Sequence, residues 1–312
     1  MSNLNVAVLG AKGVAEEIGK RGTVTDVTFF ELKRGDASVT LLEPSRYPDK
    51  LSSLFYAAEM AEFVILVVDA LDAHLGETIV MADTVGISRG WIVLRNYIQP
   101  EQIRPLLVDT NLESYELKEY DSNAMREELL NLAEEYKREP GEGSSGSCPV
   151  DSHFNVKGVG TVVLGSIVHG HIRKHDKMRI LPLNREVVLK SIQKHDLDAD
   201  SAVKGDHTGL ALRGIESDEL DRGFVLTTDK DVTMSRKFTR KVDLVKYWRD
   251  PLKDGMVMHL GHWMQMVPFR ISVSGDDVAF DLDTDLIYRP GDKATIMYLE
   301  GGKLRVVGSI TL

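Results

Sequence analysis

A chain of 312 residues, 43% hydrophobic and 28% charged, is long enough for two or three domains with their own cores and has the composition of an ordinary soluble globular protein. The longest unbroken apolar run, Phe63 to Val68, is far short of a bilayer span, and no basic segment precedes an apolar stretch at the N-terminus. The expectation is a cytoplasmic protein with no membrane partner. A single cysteine, Cys148, permits no internal disulfide and suits a reducing compartment; in a Gly/Ser stretch with no neighbouring His it reads as a passive linker residue. Residues 1–140 carry 14 Lys and Arg against 24 Asp and Glu, which accounts for the whole net charge of −10, while residues 141–312 carry 24 of each. Contact with nucleic acid is therefore expected in the second part.

Asn5 to Leu9 (NVAVL) reads as a buried strand, and Gly10-Ala11-Lys12-Gly13-Val14-Ala15-Glu16-Glu17 follows it. A phosphate-binding loop written GxxxxGK[ST] would begin at Gly10 and put its second Gly at Ala15, its Lys at Glu16 and its Mg²⁺-binding hydroxyl at Glu17. The Lys of such a loop faces the β- and γ-phosphates. A glutamate there opposes them by roughly 4 kcal/mol per contact at about 4 Å and an effective dielectric near 20. These residues by themselves also fit an ordinary strand-to-helix turn.

Apolar runs at Val6–Leu9, Val39–Leu42, Phe63–Val68 and Trp91–Leu94 read as strands, with helices at Leu51–Met60 and Thr78–Val85 between them. A last helix starts near Asp121 or Ser122, runs through Met125, Leu129, Leu132 and Tyr136, and stops before Pro140. This alternation is the α/β signature. Residues 141–150 have linker composition, rich in Gly and Ser. Beyond them come short β-rich segments at Thr161–Leu164, Met178–Leu181, Val187–Leu189, Gly209–Leu212 and Phe224–Leu226. A second set follows Thr233 and ends in Ala294–Leu299 and Lys303–Leu312. Two small β-barrels account for the spacing, giving domains at 1–140, 151–232 and 233–312. The densest basic stretch, Ser235 to Lys241, contains Arg236, Lys237, Arg240 and Lys241, and alternation in a strand would put some of these on one exposed face.

The second domain carries a resemblance. Val156-Lys-Gly-Val-Gly160-Thr-Val-Val-Leu-Gly165, Lys190-Ser-Ile-Gln193, Gly205-Asp-His-Thr-Gly209-Leu-Ala-Leu-Arg213-Gly214 and Glu219-Leu-Asp-Arg222-Gly223 together resemble domain 2 of the translational GTPases. The ending Arg289-Pro-Gly-Asp292 to Ser309 is similar to the last strands of elongation factor Tu, and Leu252 to His262 resembles the selenocysteine-specific branch. The resemblance implies an elongation factor Tu-like architecture: an α/β G domain of the P-loop NTPase type followed by two all-β barrels.

Against that family the first domain reads as a degenerate G domain. Arg21-Gly-Thr-Val24-Thr25 resembles switch I with Val24 in place of the Mg²⁺-binding Thr, and a valine cannot ligate a metal. It follows Glu17 so closely that most of the first helix and of switch I are expected to be missing. The DxxGH of switch II matches Leu42-Glu-Pro-Ser-Arg46, without its Asp, Gly and His, and the guanine-reading NKxD matches Asn96-Tyr-Ile-Gln99. Gln99 cannot accept both base protons as an Asp carboxylate does. The resemblance is nearest to the archaeal SelB-like group that lacks a normal GTP site. It implies a pseudo-GTPase with no cofactor, and tRNA or the ribosome, rather than DNA, as partner. By the same resemblance Gln193 falls beside the terminal adenine of a tRNA and His207 beside its aminoacyl group; both also fit as barrel-surface residues.

His169, His171 and His175, and His259 with His262, have no Cys or carboxylate at ligand spacing, so no metal site is expected. Two other readings stay open. One is a residual GTP-binding translational GTPase with a rearranged pocket; the other is an interaction scaffold whose acidic first domain meets a basic protein partner.

Overall fold

The structure is a computed structural model, described here for residues 2–136, 145–195, 197–275 and 277–312. By its internal contacts the chain forms two units, one of residues 1–137, 242–251 and 295–310, the other of 138–241, 252–294 and 311–312. Of the expected linker 141–150, residues 141–144 lie outside the described residues.

The first unit is built on a sheet of β1 (Ser2–Leu9), β2 (Lys20–Val24), β3 (Thr28–Arg34), β4 (Ala37–Glu43), β5 (Phe63–Val68), β6 (Gly90–Leu94) and β7 (Glu116–Lys118). Its strand order is β2-β3-β4-β1-β5-β6-β7. From β4 to β7 the pairings are parallel, while β2 and β3 add an antiparallel hairpin at one edge. Every residue of β5 (FVILVV) is buried, as expected for a central strand of a parallel sheet covered on both faces. Five helices accompany the strands: α1 (Val14–Ile18), α2 (Leu51–Glu59), α3 (Ala73–Val85), α4 (Pro100–Leu107) and α5 (Ser122–Glu135). Helix α5 starts where its capping residue predicts, with the Asp121 carboxylate accepting from the Asn123 and Ala124 amides, and buries Met125, Leu129 and Leu130. Helix α3 begins five residues earlier than Thr78, capped by Asp72, because Gly76 interrupts the helical pattern without breaking the helix. Sequence reading passed over the β2–β3 hairpin and over α4, where Pro100 and Pro105 look like turn signals.

The second unit opens with β8 (Gly146–Pro149), whose four residues are buried. This corrects the linker boundary: Gly146 to Pro149 pair with neighbouring strands, and Cys148 is a fully buried core residue, its thiol pushed up to about 12 by burial. Small residues misled the reading, since Gly146 is required by a close approach: a Cβ there would lie 2.5 Å from the His171 carbonyl oxygen. The other strands of this sheet are β9 (Ser152–Val156), β10 (Gly160–Ser166), β11 (His169–Arg173), β12 (Lys177–Leu181), β13 (Arg185–Lys194), β14 (Leu197–Ala199), β15 (Ser201–Val203), β16 (His207–Arg213) and β17 (Val225–Thr227). They run in the order β15-β11-β8-β17-β12-β13-β16-β10-β9, with β14 paired to β13, and enclose a core that includes Val163, Ile180, Leu189, Leu210 and Leu226.

A third sheet contains β18 (Thr233–Arg240), β19 (Asp243–Leu244), β20 (Val257–His262), β21 (Gln265–Ser274), β22 (Asp277–Tyr288), β23 (Lys293–Met297) and β24 (Val306–Thr311). Its order is β18-β22-β21-β20-β23-β24-β19. Strand β18 is an edge, and Phe238, Phe280 and Phe269 stack across β18, β22 and β21 with ring centroids 5.2 and 4.9 Å apart. The architecture is thus an α/β domain followed by β-barrel-type sheets, as expected.

Candidate functional site

The loop after β1 turns on two glycines with positive φ, Gly10 and Gly13. Gly10 has φ 94°, and a Cβ there would lie 2.1 Å from the Val67 carbonyl oxygen, so only glycine lets β1 turn against β5. Gly13, at φ 85°, precedes a first helix of five residues that passes straight into β2. The amides at the head of such a turn need an acceptor. Here the chain supplies one itself: Glu43, at the end of β4 and 8% exposed, points a carboxylate oxygen at the Gly13 amide (2.9 Å) and the Ala15 amide (3.4 Å). Burial pushes the Glu43 carboxyl up, and the two backbone bonds offset only part of that shift.

The other loop positions are committed as well. Ala15 is fully buried, Glu16 is exposed, and Glu17 accepts a hydrogen bond from the Tyr120 hydroxyl, whose pKa burial and this bond push up to about 12. The Arg126 guanidinium donates to the Ile18 and Glu17 carbonyls and so closes the C-terminal end of α1. Val24 is 53% exposed on the edge strand β2, and Leu42 is buried in β4. Arg46 sits 3.4 Å from the Asp26 carboxylate. Asn96, at φ 52°, donates to the Asp69 carbonyl, and Gln99 caps α4 in a reciprocal pair with Gln102. A cavity of about 190 Å³ opens at the carboxyl ends of β1, β4 and β5, where Glu43, Asp69 and Asp72 outnumber Lys12. That lining opposes a polyanion. Sequence reasoning missed Glu43 because its partners lie 28 and 30 residues away; the one available signal was an acid directly after an apolar run.

In the second sheet the two sequence-predicted residues come together. Gln193 of β13 lies opposite Gly209, which in turn lies opposite Leu164, and His207 lies opposite Ser166 on the same pair of strands. Opposed residues in an antiparallel pair share a face. Gln193 and His207 therefore flank Gly209 on one outward face, where a Cβ on the glycine would have its nearest neighbours at 3.6 Å from Leu164 and 3.9 Å from Gln193. The exposed Gln193 amide donates to Asp198 (3.1 Å), and the half-buried His207 ring meets the Ser166 hydroxyl at 3.3 Å.

The basic stretch in β18 is split. A bulge between Ser235 and Lys237 sets Arg236 out of register, and its guanidinium donates to the Leu282 carbonyl. Lys237 pairs with Asp281 (3.1 Å), whereas Arg240 lies over the Phe238 ring and donates to the Thr311 and Thr239 carbonyls. Lys241 is exposed just beyond the strand. The expected four-residue cluster is thus not one surface. Arg270 of β21, which sequence reasoning passed over, lies opposite Asp281 and joins Lys237 and Asp281 in a row across three strands. Beside this row is an open hollow of about 450 Å³, also lined by Thr239, Ser272 and Ala279.

The histidines do not converge. His169 faces Asp229, His171 is buried in β11, and His175 occupies a left-handed turn position. His262 is held by Asp292 (3.3 Å) and the Lys293 carbonyl (3.2 Å). Among the described residues no group of three His, Cys, Asp or Glu side chains is placed to hold a metal, and no helix is long and apolar enough to cross a membrane.

Comparison with known proteins agrees with this fold. The family model of elongation factor Tu domain 2 matches residues 160–227. An uncharacterized protein of Methanocaldococcus jannaschii is 32% identical over 311 residues, covering 99% of both chains. The selenocysteine-specific elongation factor of the same organism is 28% identical over 95% of this chain and 71% of its own length. Among solved structures, translation elongation factor SelB of Methanococcus maripaludis, both in its apo form and in complex with the GTP analogue GppNHp, superposes with a TM-score of 0.82 over 100% of this chain and 79% of that one, at 22% identity.

Proposed function

The chain belongs to the SelB-like branch of the translational GTPase superfamily, and from that premise we propose a cytoplasmic translation-factor-like protein that engages tRNA or the ribosome without binding or hydrolysing GTP. The observation that carries the reading is the Glu43 carboxylate on the Gly13 and Ala15 amides. A phosphate entering the loop would have to displace it, then lie beside Glu16, which stands where the motif has its lysine. The guanine and Mg²⁺ positions offer no compensation, because Gln99 is committed to capping α4 and Val24 has no ligating atom. The protein is a pseudo-GTPase on this reading, and no nucleotide cofactor is required.

The RNA contacts are assigned to the β-rich half. Gln193 and His207 flank the side-chain-free Gly209, on which a 3′-terminal base can lie flat with the half-buried His207 ring beside it to stack on. Lys237 and Arg270 supply phosphate contacts on the third sheet. The net charge of −10 on residues 1–140 directs a polyanion away from the first domain.

Two measurements test the reading. Isothermal titration with Mg²⁺-GTP should give no dissociation constant below about 10 μM, near −7 kcal/mol. Filter binding should detect tRNA with an affinity that falls steeply with salt. Tight GTP binding would restore the residual-GTPase reading, and no binding to any cellular RNA would favour a protein scaffold with a basic partner.

A further inference from the structure

We propose that residues 43–48 form a fixed strap that joins the loop after β1 to Arg305 and holds that loop in a single conformation without a ligand. The inference rests on the nucleotide-free reading above and adds the device that makes a nucleotide unnecessary for ordering the loop.

The strap is tied at both ends and in its middle. At the first end, Glu43 accepts from the Gly13 and Ala15 amides. In the middle, the Ser45 hydroxyl bonds the Thr28 hydroxyl, and the Arg46 amide donates to the Ser53 hydroxyl, which itself donates to the Asp26 carbonyl. At the far end, the Tyr47 hydroxyl bridges the His74 carbonyl (2.9 Å) and the Glu77 carboxylate (3.0 Å). Glu77 is 2% exposed and would be an isolated buried charge but for Arg305. Arg305 meets it three times, through its own backbone amide (2.7 Å), Nε (3.0 Å) and Nη2 (2.6 Å), and its remaining nitrogen donates to the Pro48 carbonyl (3.1 Å). The bidentate fork on a fully buried carboxylate is the strongest class of such contacts.

The chemistry is one of position. Each tie at the Arg305 end uses a group that cannot be left unpaired where it lies: a buried carboxylate, a buried tyrosine hydroxyl and a guanidinium 16% exposed. Between Glu43 and Tyr47 lie only three residues, of which Pro44 has a locked φ. Displacement at one end is therefore passed to the other, and the Gly13 and Ala15 amides report on a contact made by Arg305.

Residue-resolved hydrogen exchange on the full chain tests this, with the β5 amides as a reference for global opening. Glu43→Ala should speed exchange at Gly13 and Ala15 by about tenfold relative to β5, and Glu43→Gln, which keeps an acceptor, by much less. Arg305→Ala should also speed Gly13 and Ala15 relative to β5, although it touches neither. Should Glu43→Ala raise β5 exchange as much as the loop, Arg305→Ala decides. Loop amides in Arg305→Ala that track β5 would overturn the strap. Because the readout needs neither nucleotide nor RNA, its failure leaves the RNA-binding reading standing, and GTP or RNA titrations can fail without touching the strap.

Discussion

The loop after β1 and the outward face around Gly209 are both expected ligand positions, yet the chain treats them in opposite ways. In the loop the Gly13 and Ala15 amides already have an internal acceptor in Glu43, and Ala15, Glu16 and Glu17 stand where the phosphate-binding pattern has Gly, Lys and a hydroxyl. Around Gly209 a side chain would meet Leu164 and Gln193 only at ordinary van der Waals distance, and Gln193 and His207 flank it on the same face. What separates them is the number of residues each property needs. The first-domain sheet is held by a continuous buried apolar core, as in β5, and tolerates the loss of a few polar residues. A nucleotide site depends on a handful of polar groups, and on the proposed reading their loss is enough to remove it.

The largest expected effect breaks the scaffold on the loop side. Glu77→Ala leaves the Arg305 guanidinium without its partner in a site only 16% exposed, and removing one member of a buried pair costs about 3–5 kcal/mol. Urea unfolding followed by circular dichroism should show that loss, and a change below about 1 kcal/mol would mean the pair is effectively solvated. Next comes Gly10→Ala. The added Cβ meets the Val67 carbonyl oxygen at 2.1 Å at a φ of 94°, and we expect a loss of about 3 kcal/mol in the same assay. Gly13→Ala, with open space around its Cβ and a φ of 85°, should lose only the left-handed penalty of about 1–2 kcal/mol.

The comparison also explains what the sequence made legible. Strands such as β5 and the helix α5 were readable because their signals are local: an apolar run, and a capping Asp121 followed by periodic Met125 and Leu129. The loop's departures from the GxxxxGK[ST] pattern were readable because a motif is a local pattern. Glu43 and Arg305 were not, since their partners lie 28 to 30 and 228 residues away. The basic stretch in β18 misled for a related reason: Lys237 and Arg240 are three apart on a strand and so fall on opposite faces, and the true neighbour of Lys237 is Arg270, which only strand register brings near. Gly146 and Cys148 looked like linker because small residues are also what tight strand packing demands.

A third prediction sharpens the barrel side. Lys237→Ala with Arg270→Ala should weaken tRNA binding and reduce the slope of log affinity against log salt by about two, whereas Arg240→Ala, with two nitrogens on backbone carbonyls over Phe238 against the single bond of Arg270 to the Gly255 carbonyl, should change it by less than about one. Filter binding at several salt concentrations separates the two. Equal effects from both variants would mean that phosphates do not follow the Lys237–Asp281–Arg270 row.

The smallest effect concerns the proton on Glu43. Its carboxyl in the folded protein is raised above the ordinary value of 4.5, with burial the main cause. Below pH 4.5 both folded and unfolded forms are protonated at this group, and its favourable contribution is fully present. As pH rises, the unfolded chain gives up the proton first, so stability from this group declines until the folded carboxyl has ionised too. Glu43→Gln carries no such proton, and the amide oxygen can still accept from Gly13 or Ala15. The stability difference between wild type and Glu43→Gln should therefore shift in favour of the variant across the window that starts near pH 4.5 and ends above the raised value, then stay constant. Denaturant midpoints measured at half-unit pH steps would resolve the shift. A shift in favour of wild type over the same window would mean that the two amide bonds hold the charged form more strongly than burial opposes it, which would make the loop a better anion cradle than its lining suggests.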